Sequence, residues 1–276
     1  MLKGKIGIFD SGYGGLTILK EIIKHLPQYD YIYLGDNART PYGTRSFETV
    51  YKYSAESVAW LFNEGCELII FACNTASAKA LRTIQMVDLL RDNNQDKRVL
   101  GVIRPTVEAI SSYPTSGNIG VFATSGTVAS LSYPIEIEKM YGSAYSVTQL
   151  ACPMFVPLIE NNEINNVATK YFVDKYLKEL FLLNPKIDTL LLACTHYPIL
   201  ADMISAFVDR KINIISQGDI VAESLMDYLK RHSDIEQKLS KQGKRNYYTT
   251  DDAQTFKNMA SFFMGHDVEC DKVSLL

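Results

Sequence analysis

No stretch of the 276-residue chain approaches the roughly 20 consecutive apolar residues that a membrane-crossing helix needs. The N-terminal residues run straight into a strand pattern, "KIGIFD" (Lys5–Asp10), without a cleavable apolar leader. A cytoplasmic location with no membrane partner is therefore expected. Cysteine is scarce, and the five present are an odd, scattered set that excludes a secreted disulfide framework. There is no CxxC pair and no HxxxH, and the four histidines stand apart, so no metal site and no thioredoxin-like redox centre is expected. Excess charge of either sign is also missing. A net charge of -3 argues against a phosphate-binding surface and hence against a nucleic-acid partner. The one basic cluster, "KLSKQGKR" (Lys238–Arg245), has no interleaved aromatic and reads as a solvated face. Nor is there a Pro/Ser/Gly-rich linker or a low-complexity segment to mark a domain boundary.

What remains is an ordinary globular composition, 47% hydrophobic and 21% charged, in a chain long enough for two domains. Short β-rich runs alternate with helical patterns throughout, which predicts an α/β fold with parallel sheets. The expected strands are Lys5–Phe9, Tyr31–Leu34, Leu68–Ala72, Arg98–Ile103, Asn118–Ala123, Ala144–Gln149, Thr189–Ala193 and Asn213–Ser216. The best-defined helices are expected at Phe47–Asn63, Ala76–Leu90, Val128–Met140 and Val167–Leu182.

In open parallel sheets ligands bind beyond the carboxyl ends of the strands, where loops and helix N-termini converge. Those loops here read "DSGYGGLT", "GDNARTPYG", "CNT", "RPT", "TSGT" and "CTHYP", all rich in glycine and short polar side chains. Two of them echo each other, because "LIIFACNTA" and "LLLACTHYP" each end an apolar run on a cysteine. A cysteine is commonly just a small buried hydrophobe. Cys73 and Cys194, however, stand at strand ends followed by helix starts, where a thiol pKa can fall below its usual value of about 8.5. Cys66, Cys152 and Cys270 lack that setting. His196 is placed either to assist Cys194 as an acid or base, or simply to bond backbone at a helix start. Asp10 in "DSGYGG" offers a strand-end carboxylate, but the stretch is neither GxGxxG nor a P-loop, which favours a small anion over a nucleotide. Thr124 and Thr127 in "TSGT" serve equally as carboxylate donors or as plain helix caps.

Taken together, five motifs resemble the glutamate racemases of the aspartate/glutamate racemase superfamily. They are "IGIFDSGYGGLTILKEI" (Ile6–Ile22), "YLGDNARTPYGTRS" (Tyr33–Ser46), "ACNTASA" (Ala72–Ala78), "CPMFVPLIE" (Cys152–Glu160) and "LACTHYP" (Leu192–Pro198). The resemblance implies two similar parallel-sheet α/β domains, 1–99 plus 216–276 and 100–215, with the active site in the cleft between them. It further implies cofactor-independent interconversion of L- and D-glutamate, with Cys73 and Cys194 as opposed proton carriers. Asp10 would assist Cys73, and His196 with Glu160 would assist Cys194. Substrate would be held by Asp10, Ser11, Pro41, Tyr42, Gly43, Asn74, Thr75, Thr124, Thr127, Thr195 and His196. His196 favours glutamate over aspartate, since the aspartate enzymes usually carry an acid there. A homodimer, no added cofactor, a role in supplying D-glutamate for peptidoglycan, and no activation by a cell-wall precursor complete the expectation. The sequence departs from the usual pattern at "GVIRPTVEA", where Arg104 and Thr106 stand in place of an acid and a glycine.

Overall fold

The computed structural model describes residues 3–113, 116–208 and 212–275. Among the described residues ten strands form two sheets, parallel throughout. The first sheet contains β1 (Lys5–Asp10), β2 (Tyr31–Gly35), β3 (Cys66–Phe71), β4 (Arg98–Gly101), β9 (Arg245–Thr249) and β10 (Asp271–Lys272), in the order β10-β9-β2-β1-β3-β4. The second contains β5 (Asn118–Ala123), β6 (Ser146–Ala151), β7 (Thr189–Ala193) and β8 (Asn213–Ile215), in the order β6-β5-β7-β8. The chain thus crosses between sheets twice, out after β4 through helix Ile103–Ala109 and back after β8 through helix Gly218–Arg231.

The central strands are buried on both faces, which is why they read as unbroken apolar runs rather than alternating ones. One apolar core spans both sheets. It runs from Ile6 and Ile8 on β1, through Leu19 and Leu225 on the helices Leu16–His25 and Gly218–Arg231, to Phe122 on β5 and Leu192 on β7. Phe155 is its aromatic hub, edge-on to Phe122, Tyr176 and Tyr197. Truncating a buried phenylalanine of this kind to alanine costs about 3–5 kcal/mol.

Local signals placed several elements where expected. Helix Phe47–Asn63 starts where the Ser46 hydroxyl accepts from the Thr49 N–H, and it stops ahead of Gly65, whose φ of +85° turns the chain into β3. Other expectations need correction. The sixth strand lies at Ser146–Ala151, two residues later than predicted, because its polar residues pair in register with β5 from Asn118↔Ser146 onward. The expected helix Val128–Met140 is two helices, Ser125–Ser130 and Ser132–Tyr141, broken at Leu131, whose φ is +55°. The expected helix Ala76–Leu90 starts earlier, at Asn74, and is interrupted at Ala80 and by a π-helical turn at Ile84–Asp88. β9 and β10, absent from the expectation, extend the first sheet. Among the described residues no helix is long and apolar enough to cross a membrane.

Candidate active site

The strand ends of the two sheets meet, and the predicted polar loops meet with them. After β1, the Asp10 carboxylate is fully buried, with one oxygen accepting from the Gly12 N–H at 3.0 Å and the other from the Thr195 hydroxyl at 3.4 Å. The loop then passes so close to the second sheet that a Cβ on Gly14 would lie 2.3 Å from both Thr195 Oγ1 and His196 Nδ1. Thr17 fixes that approach by donating to the Thr195 carbonyl at 2.9 Å.

After β3, Cys73 is the N-cap of helix Asn74–Lys79. Its sulfur accepts from the Ala76 N–H at 3.5 Å and lies 3.5 Å from the Ser11 hydroxyl. Burial pushes the thiol up to about 12, and the Asp10 and Cys194 charges push the same way, against the Ser11 and Ala76 donors. The expectation that the helix start lowers this thiol is corrected: for so buried a side chain, desolvation of a thiolate outweighs two donors.

After β7, the Cys194 sulfur lies 4.0 Å from His196 Nδ1, and His196 Nε2 is 2.9 Å from Glu160 Oε1, at the end of helix Phe155–Glu160. Burial alone would lower the imidazole, but the Cys194 and Glu160 partners override it and raise His196 to about 10. Asp10 is raised, chiefly by burial, although the His196 charge and the Gly15 and Gly12 amides oppose this. A histidine that gains proton affinity on folding stabilises the fold fully below its unfolded value of about 6.5. That stabilisation is lost as pH rises towards about 10. Removing the partner charge with Glu160→Gln is therefore expected to flatten the fall of melting temperature over this window. Parallel wild-type and variant curves would show that no imidazolium–carboxylate pair forms.

Hydroxyls close the space between the sheets. Thr75 Oγ1 lies 2.8 Å from Thr124 Oγ1 and 3.4 Å from Thr127 Oγ1, and Thr124 caps the helix Ser125–Ser130 through the Thr127 N–H. The Pro41–Gly43 segment reaches the same point: the Gly126 N–H donates to the Gly43 carbonyl at 2.7 Å. Tyr42 is buried with its hydroxyl on Asp36, whereas Pro41 is exposed after a cis peptide bond. Asn74 is placed differently from its neighbours. Its carboxamide points away to buried partners, donating to Gln217 and accepting from Tyr133. The sequence reading missed Gln217, Tyr133 and the spacing role of Gly14. Arg104, one of the two departures, is exposed and paired with Glu108, while Thr106, the other, is fully buried.

Each of the two parallel α/β sheets thus ends a strand on a buried thiol, Cys73 within reach of the Ser11 hydroxyl and Cys194 beside the His196–Glu160 pair. The chain matches the family model described as Asp/Glu/Hydantoin racemase over residues 15–225. It is 39% identical over 270 residues to a glutamate racemase of Persephonella marina, covering 98% of this chain and 97% of that one. Among solved structures, glutamate racemase isoform RacE1 from Bacillus anthracis superposes with a TM-score of 0.88 at 32% identity, covering 99% of this chain and 98% of that one. The glutamate racemase from Francisella tularensis in complex with D-glutamate does so with a TM-score of 0.85 at 30% identity, with the same coverage. The protein is an amino-acid racemase, an isomerase. It belongs to the glutamate racemases within the Asp/Glu/hydantoin racemase family.

Proposed function

We propose that the protein interconverts L- and D-glutamate by exchanging the α-proton between Cys73 and Cys194, without a cofactor. The observation that carries this reading is the pairing of two buried thiols, each at the end of a central strand in its own sheet and each with its own proton-affinity partner. One sulfur, as thiolate, takes the α-hydrogen, and the other, as thiol, delivers a proton to the opposite face of the planar carbanion. Each turnover shifts one proton from sulfur to sulfur, and solvent exchange or the reverse reaction resets it.

Burial raises the Cys73 thiol and suits it to donate a proton, while Cys194 has His196 Nδ1 at 4.0 Å as its proton partner. Use in the opposite direction requires the substrate ammonium to favour the Cys73 thiolate. The Asp10 carboxylate beside that centre suits it to hold the ammonium. The hydroxyls of Thr75, Thr124, Thr127, Thr195 and Ser11 and the Tyr42–Gly43 backbone suit the carboxylates, where one preorganised donor is worth about 3–4 kcal/mol. Unequal partners on the two thiols predict unequal maximal rates in the two directions, with an overall equilibrium constant of one.

The first domain is read as residues 1–99 plus 216–276 and the second as 100–215. A homodimer in the cytoplasm, supplying D-glutamate for peptidoglycan, follows from the family likeness. The decisive experiment follows optical rotation and the α-proton signal of L-glutamate in deuterated water, with no cofactor added. Loss of rotation with deuterium entering the α-position is expected. A folded, reduced sample that leaves glutamate untouched but exchanges aspartate would overturn the substrate assignment.

A further inference from the structure

Beside Cys73, and outside the groups assigned to the chemistry, three buried side chains close a ring of hydrogen bonds. Asn74 Nδ2 donates to Gln217 Oε1 at 2.6 Å, Gln217 Nε2 donates to the Tyr133 hydroxyl oxygen at 2.9 Å, and the Tyr133 O–H donates to Asn74 Oδ1 at 2.6 Å. The second proton of Gln217 Nε2 goes to Thr106 Oγ1 at 2.8 Å, and the Thr106 O–H goes on to the Val102 carbonyl at 2.6 Å. None of the four residues is more than 2% exposed. Every group both gives and receives, so the orientation of each amide is fixed by the ring itself.

The place of the ring in the chain is as telling as its geometry. Asn74 directly follows Cys73 in the first sheet's half, and Tyr133 belongs to the second. Thr106 stands on the outgoing crossover helix Ile103–Ala109, and Gln217 caps the returning one, Gly218–Arg231. The ring therefore ties both passages of the chain between sheets to the residue next to a thiol. Stability alone does not call for such a device, since apolar groups of the same shape are often no worse than a satisfied buried polar set. What the polar ring adds is a single allowed register.

We infer that Gln217, Tyr133, Thr106 and the Asn74 side chain form a positioning ring, which sets where Cys73 stands relative to Cys194. This inference rests on the two-thiol reading above. Gln217 and Tyr133 act through Asn74 and not on substrate. A misplacement of about 1 Å at a reacting centre costs about 100-fold in rate.

The test compares Tyr133→Phe, Thr106→Val and Thr106→Ser with the wild-type protein, measuring glutamate racemisation, melting temperature and the rate at which iodoacetamide labels Cys73 and Cys194, read by mass spectrometry. Tyr133→Phe is expected to lower kcat by about 10- to 100-fold with KM within about twofold, because substrate contacts survive while thiol placement does not. Cys73 labelling should speed up relative to Cys194. Thr106→Val should do the same more mildly, and Thr106→Ser, which keeps the hydroxyl, should restore both readouts. A lower melting temperature with unchanged kcat and unchanged labelling ratio would overturn the positioning role and leave only a stabilising network. Should Tyr133→Phe not fold, the Thr106 pair decides by the same readouts. If the wild-type protein itself exchanges neither glutamate nor aspartate, the two-thiol reading falls, whereas the labelling ratio still reports whether the ring positions Cys73.

Discussion

Alanine in place of either Cys73 or Cys194 is expected to lower racemisation by about 10²- to 10⁴-fold, the range that a positioned acid or base contributes. Each sulfur serves one face of the α-carbon, so neither can replace the other. Both side chains are small, so removing one sulfur leaves only a small cavity and the fold stands. The single variants also separate the two faces. With one thiol left, a substrate enantiomer whose α-hydrogen meets that thiol can still exchange with solvent and return with retention. Cys73→Ala and Cys194→Ala should therefore wash deuterium into opposite enantiomers without inversion. Cys152→Ala supplies the control: its thiol is buried in the core, nearest the Leu150 carbonyl at 3.8 Å. Its loss should affect stability and not exchange. Retained inversion in either Cys73→Ala or Cys194→Ala would reduce the mechanism to one thiol.

The parts of this architecture written in contiguous residues are the parts that the sequence made legible. β7 matches its predicted limits at Thr189–Ala193 because all five residues are buried and apolar or small. Helix Phe47–Asn63 matches because a serine cap and a left-handed glycine bound it. β9 was not legible: "RNYYT" begins with two polar residues after a basic stretch, and it becomes a strand by pairing with β2, more than 200 residues away, and with the short β10. The break at Leu131 carries no glycine or proline to announce it. At the site, each loop could be read by itself, and Asp10, Cys73, Thr124 and Cys194 each follow the strand that the sequence announced. Contacts between loops could not. Asn74 reads as a ligand-facing polar residue, yet its amide is engaged by Gln217, 143 positions away, and by Tyr133, 59 away. Thr106 gave the one sequence signal, as a departure from the family pattern, and it is the hydroxyl that anchors Gln217.

Gly14→Ala is expected to damage the protein most for the fewest atoms. The added Cβ would stand 2.3 Å from Thr195 Oγ1 and from His196 Nδ1, and 2.5 Å from His196 Cε1. Neither neighbour has room to yield. Thr195 is held through its carbonyl by Thr17 at 2.9 Å, and His196 through Nε2 by Glu160 at 2.9 Å. Relief must come from separating the β1 loop from the β7 loop, which moves Asp10 away from Thr195 and the two thiols away from each other. Overpacking of this kind costs about 1–3 kcal/mol of stability. Because displacement by about 1 Å at the reacting centre costs about 100-fold, turnover should fall by about that factor or more. Gly12→Ala makes the comparison, since its Cβ would meet nothing nearer than Glu160 Oε1 at 3.4 Å, an ordinary contact. Gly65→Ala separates backbone strain from crowding: its φ is +85°, but nothing lies within 4 Å of the added carbon. The expected order of activity loss, from assays on folded protein, is Gly14→Ala far above Gly12→Ala, with Gly65→Ala affecting melting temperature alone. Equal losses at Gly14 and Gly12 would mean that the two loops separate freely, and that the close approach of β1 to β7 does not hold the site together.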